Sequence, residues 1–350
     1  MATRRSSRPT RTINLALQGG GSHGAFTWGV LDRLLEEDWL AIDGISATSA
    51  GAMNAAVLAD GFLAGGAEGA RRGLTDFWSR VAEATAASPL QPTAADKALG
   101  GWNMDLSPAY LALDMLSRVL SPYQLNPLGL NPLRDILGEH LNFDRLRRAR
   151  NPQLFVCTTN VKRGDIRVFR NHELTVDALL ASACLPFLYQ AIEIDGDPYW
   201  DGGYMGNPAL YPLIQNCASE DIVIVQINPI RHDQVPMDAR HIIDRVNEIS
   251  FNATLIRELR AMDLVNSIVE KGASGGTRRL KHIKVHMIED EALMGELGFS
   301  SKLNASWDFL TFLRDRGRDA TGAWLAEHAD ELGRRSTFDV SALSQSGRAP

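Results

Sequence analysis

The chain has 350 residues, 45% hydrophobic and 22% charged, an ordinary globular balance with length for one large domain or two smaller ones. Its net charge of −6 excludes a chain built as a whole to neutralise a nucleic-acid backbone, so no nucleic-acid partner is expected. Three scattered cysteines, Cys157, Cys184 and Cys217, form no CxxC pair and argue for a reducing compartment rather than a disulfide framework. Cys157 and Cys184 lie in apolar runs and read as small core residues.

In chain order, residues 1–11 carry four arginines and lack the apolar stretch of a secretory signal. They read as a disordered basic arm, with contact to anionic lipid as the alternative. An apolar strand is predicted over 12–17. Glycines 19–21 and 24 follow, then a helix in which Phe26, Val30 and Leu34 recur every four residues beside Leu31 and Leu35. A second strand, 44–48, runs into an alanine-rich helix over 50–58. Residues 87–132 hold six of the fifteen prolines and read as an ordered insertion, a cap or entry rim. Further strands are expected at 153–159, 166–169, 222–227 and 282–288, several apolar without alternation, as in strands covered on both faces. Helices are expected at 175–185 and 241–271, a helix pair at 300–332, and a flexible polar tail over 336–350. Strands alternating with helices predict a three-layer α/β/α fold around a mostly parallel sheet. No stretch approaches the roughly 18 apolar residues of a membrane span, and a cytoplasmic protein is expected.

The run Gly19-Gly20-Gly21-Ser22-His23-Gly24 satisfies G-x-G-x-x-G between a strand and a helix. Glycines and a helix N-terminus make a site for negative charge without naming the anion. A dinucleotide pyrophosphate is one candidate, although Asp43, the acid at about ribose-binding distance, precedes its strand. The next strand–helix junction, Ala47-Thr48-Ser49-Ala50-Gly51, fits a nucleophile elbow with alanine in the first glycine position. Ser49 as a plain helix N-cap is the competing interpretation. A serine nucleophile needs a base. Of the eight histidines, His232 comes closest to a triad setting, just past the 222–227 strand. Asp201 is the better candidate: Asp201-Gly202-Gly203 follows a short aromatic run, and two glycines permit a tight turn that aims a carboxylate into a cleft.

Four blocks now stand in order: the glycine loop 19–24, the elbow 47–51, Ala181-Ser182 with Pro186, and Asp201-Gly202-Gly203. The chain thereby resembles the patatin-like phospholipases over about residues 12–230. The resemblance implies a Ser49–Asp201 dyad without histidine. It implies an oxyanion hole among Gly19, Gly20, Gly21, Gly24 and Ala50, with Ala47, Gly51, Gly202 and Gly203 as motif support. It implies a lipid or acyl-ester substrate and neither metal nor cofactor. Thioesters and polyesters stay open as substrates, as do a catalytically weak lipid binder and a peripheral membrane contact. Residues 231–335 would form a mainly helical extension packed on the core. Two positions depart from the family pattern: Ala47 replaces the first elbow glycine, and His23 replaces the loop's usual cation, either serving in its place when protonated or only capping the turn.

Overall fold

The computed structural model describes residues 8–98, 101–232, 235–270, 281–341 and 343. Among these, eight strands form one sheet: β1 Arg11–Leu17, β2 Leu40–Thr48, β3 Gln153–Asn160, β4 Asp165–Arg170, β5 Ile192–Ile194, β6 Asp197–Asp201, β7 Asp221–Val225 and β8 Lys284–Ile288. The order is β5-β6-β3-β2-β1-β7-β8, with β4 also paired to β3. The run β3-β2-β1-β7-β8 is parallel throughout, while β4 and β6 lie antiparallel to β3.

Successive side chains of a strand point to opposite faces, and this alternation divides the core in two. Ile13, Leu15, Leu17, Val223 and Val225 face helices Gly24–Leu34, Ala50–Thr85, Val176–Ser182 and Trp307–His328. Ala16, Phe155, Ile222 and Ile224 face the other way, onto Leu255, Leu259 and Met262 of the long helix Ala239–Glu270. Strands covered on both faces need no polar side, hence their unbroken apolar sequence. None of the described helices is long and apolar enough to cross a membrane.

Several elements differ from the sequence expectation. The helix expected over 50–58 runs on to Thr85 across a break at Gly65 and Gly66, where Gly66 takes φ +64°. The expected helix pair over 300–332 is a short 3-10 turn, Phe299–Leu303, and a single helix, Trp307–His328. Gly317 sits inside that helix, where a Cβ would overlap the Phe26 carbonyl oxygen. It is a helix–helix contact point and not a breaker. In the 87–132 region, helices Pro108–Ser117 and Pro122–Leu125 each begin on proline, which has no N–H to leave unbonded in a first turn.

At the N-terminus, residues 1–7 of the expected arm lie outside the described residues. Arg8 is not part of a free arm: it lies 5.2 Å over Trp39 and pairs with Asp330, and Arg11 already opens β1. The tail is also tied in part. Phe338, Val340 and Leu343 pack against the second core, and the N–H groups of Thr337 and Phe338 donate to the Val285 carbonyl of β8. Residues 342 and 344–350 fall outside the described ones.

Candidate active site

The site follows from how β3 is shared. Its outer edge pairs with β4 over 155–160, leaving one edge for two strands. β2 occupies the first half and ends with Thr48 opposite Cys157. β6, running the other way, occupies the second half and ends with Asp201 opposite Thr158. Two strand ends thus meet head to head at adjacent residues of β3, and neither chain can continue in the plane. One leaves at Ser49, the other at Gly202.

Ser49 makes its exit in a left-handed backbone conformation, φ 54° and ψ −124°, which costs a non-glycine residue on the order of 1–3 kcal/mol. Packing enforces it. Ser49 donates its N–H to Ser182 Oγ at 2.9 Å, and Ser182 donates to the Cys157 carbonyl at 2.7 Å. The elbow is therefore bolted to β3 by a serine from the third sequence block. Behind it, a Cβ on Gly51 would overlap the Leu17 carbonyl oxygen, so only glycine lets the elbow helix lie this close to β1.

Asp201 is almost fully buried. Its N–H donates to the Cys184 carbonyl at 2.8 Å, and its own carbonyl accepts from Thr159 Oγ1 at 2.8 Å. Oδ1 accepts the Gly203 N–H at 2.7 Å, whereas buried Oδ2 has no hydrogen-bond partner. Burial pushes the carboxyl up to about 7, partly offset by the Gly203 N–H, the Ser49 hydroxyl and the charge of Lys302. The Ser49 hydroxyl thus stands beside the carboxylate without closing a hydrogen bond of normal geometry to Oδ2.

The glycine loop crosses the same opening. Gly19 donates its N–H to Asn207 Oδ1 at 2.6 Å and accepts Asn228 Nδ2 at 2.7 Å on its carbonyl. The Gly24 N–H bonds the carbonyls of Gly21 and Ser22. Both N–H groups are spent inside the protein, which removes Gly19 and Gly24 from the expected oxyanion donors. Gly20, Gly21 and Ala50 have no such bond to their N–H groups among the described residues. Ala50 opens its helix, where first-turn N–H groups lack an intrahelical acceptor.

His23 is buried, with Nε2 2.8 Å from Ser301 Oγ. The Ser301 hydroxyl donates to the Gly298 carbonyl, so the imidazole donates through Nε2. Burial first, then the charge of Lys302, hold its pKa well below the usual histidine value. His23 is a neutral packing residue, which answers whether it supplies the loop's positive charge. None of the eight histidines hydrogen-bonds Ser49 among the described residues, and His232 instead pairs with Glu248 at 2.9 Å. Asp43 is a bulge residue of β2 that accepts the N–H groups of Ala218 and Ser219, so it is engaged in a turn rather than presented to a ribose.

Sequence reasoning missed Asn207, Asn228 and Lys302. Asn207 is five residues past Gly202 in the fourth block, and Asn228 directly follows the strand expected at 222–227, three residues past the end of β7, so strand-end position was the available signal. Lys302 gave none, coming from a turn distant in sequence.

At the end of β6 lies a cavity of about 620 Å³, lined by Val119, Leu120 and Pro122 of the proline-rich region and by Phe187, Trp200 and Tyr204; its wall includes Trp200, the chain neighbour of Asp201, but neither Asp201 nor Ser49. Its wall is largely apolar, and it includes Thr159, the residue that bonds the Asp201 carbonyl.

The patatin-like phospholipase family model matches residues 15–214. Among solved structures, the chain is similar to VipD from Legionella pneumophila at 15% identity and a TM-score of 0.37, over 89% of this chain and 68% of that one. No curated protein sequence matches.

Proposed function

The chain belongs to the patatin-like phospholipase family, and from that premise we propose that it is a lipid acyl hydrolase with Ser49 as nucleophile and Asp201 as general base. The observation that carries this reading is the head-to-head meeting of β2 and β6 on β3, with a strained serine at one exit and an unpartnered carboxylate oxygen at the other.

Ser49 Oγ attacks the acyl carbonyl while Asp201 takes its proton, so free alkoxide never forms. In water the two pKa values lie too far apart for this transfer; burial narrows the gap by raising the carboxylate's basicity. Gly20, Gly21 and Ala50 are the N–H donors for the developing oxyanion, each worth about 10²–10³ in rate. The proton on Asp201 passes to the leaving alcohol, leaving an acyl ester on Ser49. Water, activated by the same carboxylate, then releases the acid.

The cavity walled by Trp200 and Tyr204, which flank the Asp201-Gly202-Gly203 block, suits an acyl chain, and its apolar wall argues for lipid over small polar esters. The proline-rich segment 87–132 would act as an entry rim, since Met115, Val119, Leu128 and nearby Phe187 expose large apolar surfaces there. Residues 12–230 would form the catalytic unit and 231–335 an extension that completes it. The test is ester and phospholipid hydrolysis by purified protein. Ser49→Ala and Asp201→Asn should each lose at least about 10³-fold in kcat with folding retained. An Asp201→Asn protein hydrolysing at the wild-type rate would refute the dyad.

A further inference from the structure

We propose that Lys302 is a positioning residue for the oxyanion loop, acting through Asn228 on the peptide that joins Gly19 to Gly20. The proposal builds on the reading of Ser49 as nucleophile but concerns a residue outside the matched segment 15–214.

Lys302 lies in the 3-10 turn Phe299–Leu303, with Nζ donating to Asn228 Oδ1 at 2.8 Å. An ammonium has only donors to offer, so Asn228 must turn its oxygen to Lys302 and its NH₂ to the loop. That NH₂ donates to the Gly19 carbonyl at 2.7 Å and to Gln18 Oε1 at 3.2 Å. Gln18 is fixed in turn: Oε1 accepts the N–H groups of Ile227 and Asn228, and Nε2 donates to Asn252.

The Gly19 carbonyl and the Gly20 N–H belong to one planar trans peptide. Gripping the carbonyl on one side aims the N–H to the other. Asn207 holds the preceding N–H at 2.6 Å, so the loop is pinned at two successive peptides. The charge adds polarisation. A cation on Asn228 Oδ1 strengthens its NH₂ as donor, and a bonded Gly19 carbonyl strengthens Gly20 N–H as donor. Lys302 also supports the next peptide, because a Cβ on Gly21, at φ +58°, would overlap the Lys302 carbonyl oxygen.

The charged and titratable groups around Lys302 come from three elements: Asp244 and Glu248 of the long helix, Asp201 at the end of β6, and His23 of the loop. Burial lowers the Lys302 pKa from its ordinary value, and the three carboxylates offset part of that in favour of the ammonium. His23 is neutral and bonds Ser301, the neighbour of Lys302 in the same turn. The cation behind this loop therefore arrives from the C-terminal segment instead of from the loop itself.

The test compares Lys302→Met, Lys302→Arg and Asn228→Ala on the full chain, with kcat normalised to the fraction labelled at completion by a fluorophosphonate. Lys302→Met should lower kcat about tenfold or more, less than complete removal of a donor, with KM within about twofold. It should also move the acid limb of kcat/KM to higher pH, because the ammonium favours ionised Asp201. Lys302→Arg should restore the limb and part of kcat. Asn228→Ala should lower kcat similarly, and the double variant should be no worse than the poorer single one. Wild-type kcat and limb in Lys302→Met, or a rise in KM alone, would overturn the proposal. If Lys302→Met does not label, Asn228→Ala decides, and an unchanged kcat there overturns it. A Ser49→Ala protein that stays active marks failure of the dyad reading instead.

Discussion

At the scale of the residue, Asp201 carries a conflict between stability and chemistry. Its folded pKa of about 7 lies above the ordinary 3.8, so the native state holds the proton that the unfolded chain releases in between. The stabilisation is therefore complete below about 4 and is lost as pH rises through about 7. On the proposed dyad, activity runs the opposite way: only an ionised Asp201 would accept the serine proton, and kcat/KM should rise with pH through a limb near 7. Asp201→Asn removes the buried charge: it should abolish activity yet be more stable than wild type at pH 8 by on the order of a few kcal/mol, and so unfold at higher temperature, with less gain at pH 5. Differential scanning calorimetry at the two pH values checks this, and equal shifts at both would contradict the buried-charge account. Ser49 and Asp201 were legible because each sits in a short block with a steric signature. Asn207, Asn228 and Lys302 were not, because their partners are backbone groups brought near only by the finished fold.

At the scale of the element, the glycine-loop helix Gly24–Leu34 and the C-terminal helix Trp307–His328 cross backbone to backbone. A Cβ on Gly29 would overlap the Arg314 carbonyl oxygen, as one on Gly317 would the Phe26 carbonyl. Gly29→Ala should force the helices apart and lower the urea midpoint, at a cost of about 1–3 kcal/mol. Gly322 in the same C-terminal helix has nothing within 4 Å of its would-be Cβ, so Gly322→Ala should instead stabilise by about 0.5–1 kcal/mol. Equal effects at the two sites would refute the close crossing. The same glycines explain why one helix over 307–328 read as two, since a contact glycine and a breaking glycine look alike in sequence. The long apolar strands were legible from composition alone. The short strands β5 and β6 were both missed, although Asp195 and Gly196, both at positive φ, form the two-residue turn between them that an Asp-Gly pair signals.

At the scale of the whole molecule, the sheet fixes two strand ends, and segments far apart in sequence finish the site around them. The proline-rich region walls the cavity, and the C-terminal turn backs the glycine loop. Filling the cavity with Val119→Trp should raise KM for long acyl esters several-fold while leaving acetyl esters unchanged; equal effects on both would remove the cavity from acyl binding. Family membership was legible from four blocks in order, whereas this enclosure was not, because proline-rich sequence reveals irregularity but not which face it covers. The most direct test of the central claim is acid-quench trapping of the acyl-enzyme, with the modified peptide located by mass spectrometry after rapid mixing with a p-nitrophenyl acyl ester. The account predicts an acyl group on Ser49 that accumulates within the first turnover and is absent from Ser49→Ala. An acyl group on another residue, or hydrolysis at full rate with no covalent intermediate in either protein, would contradict it.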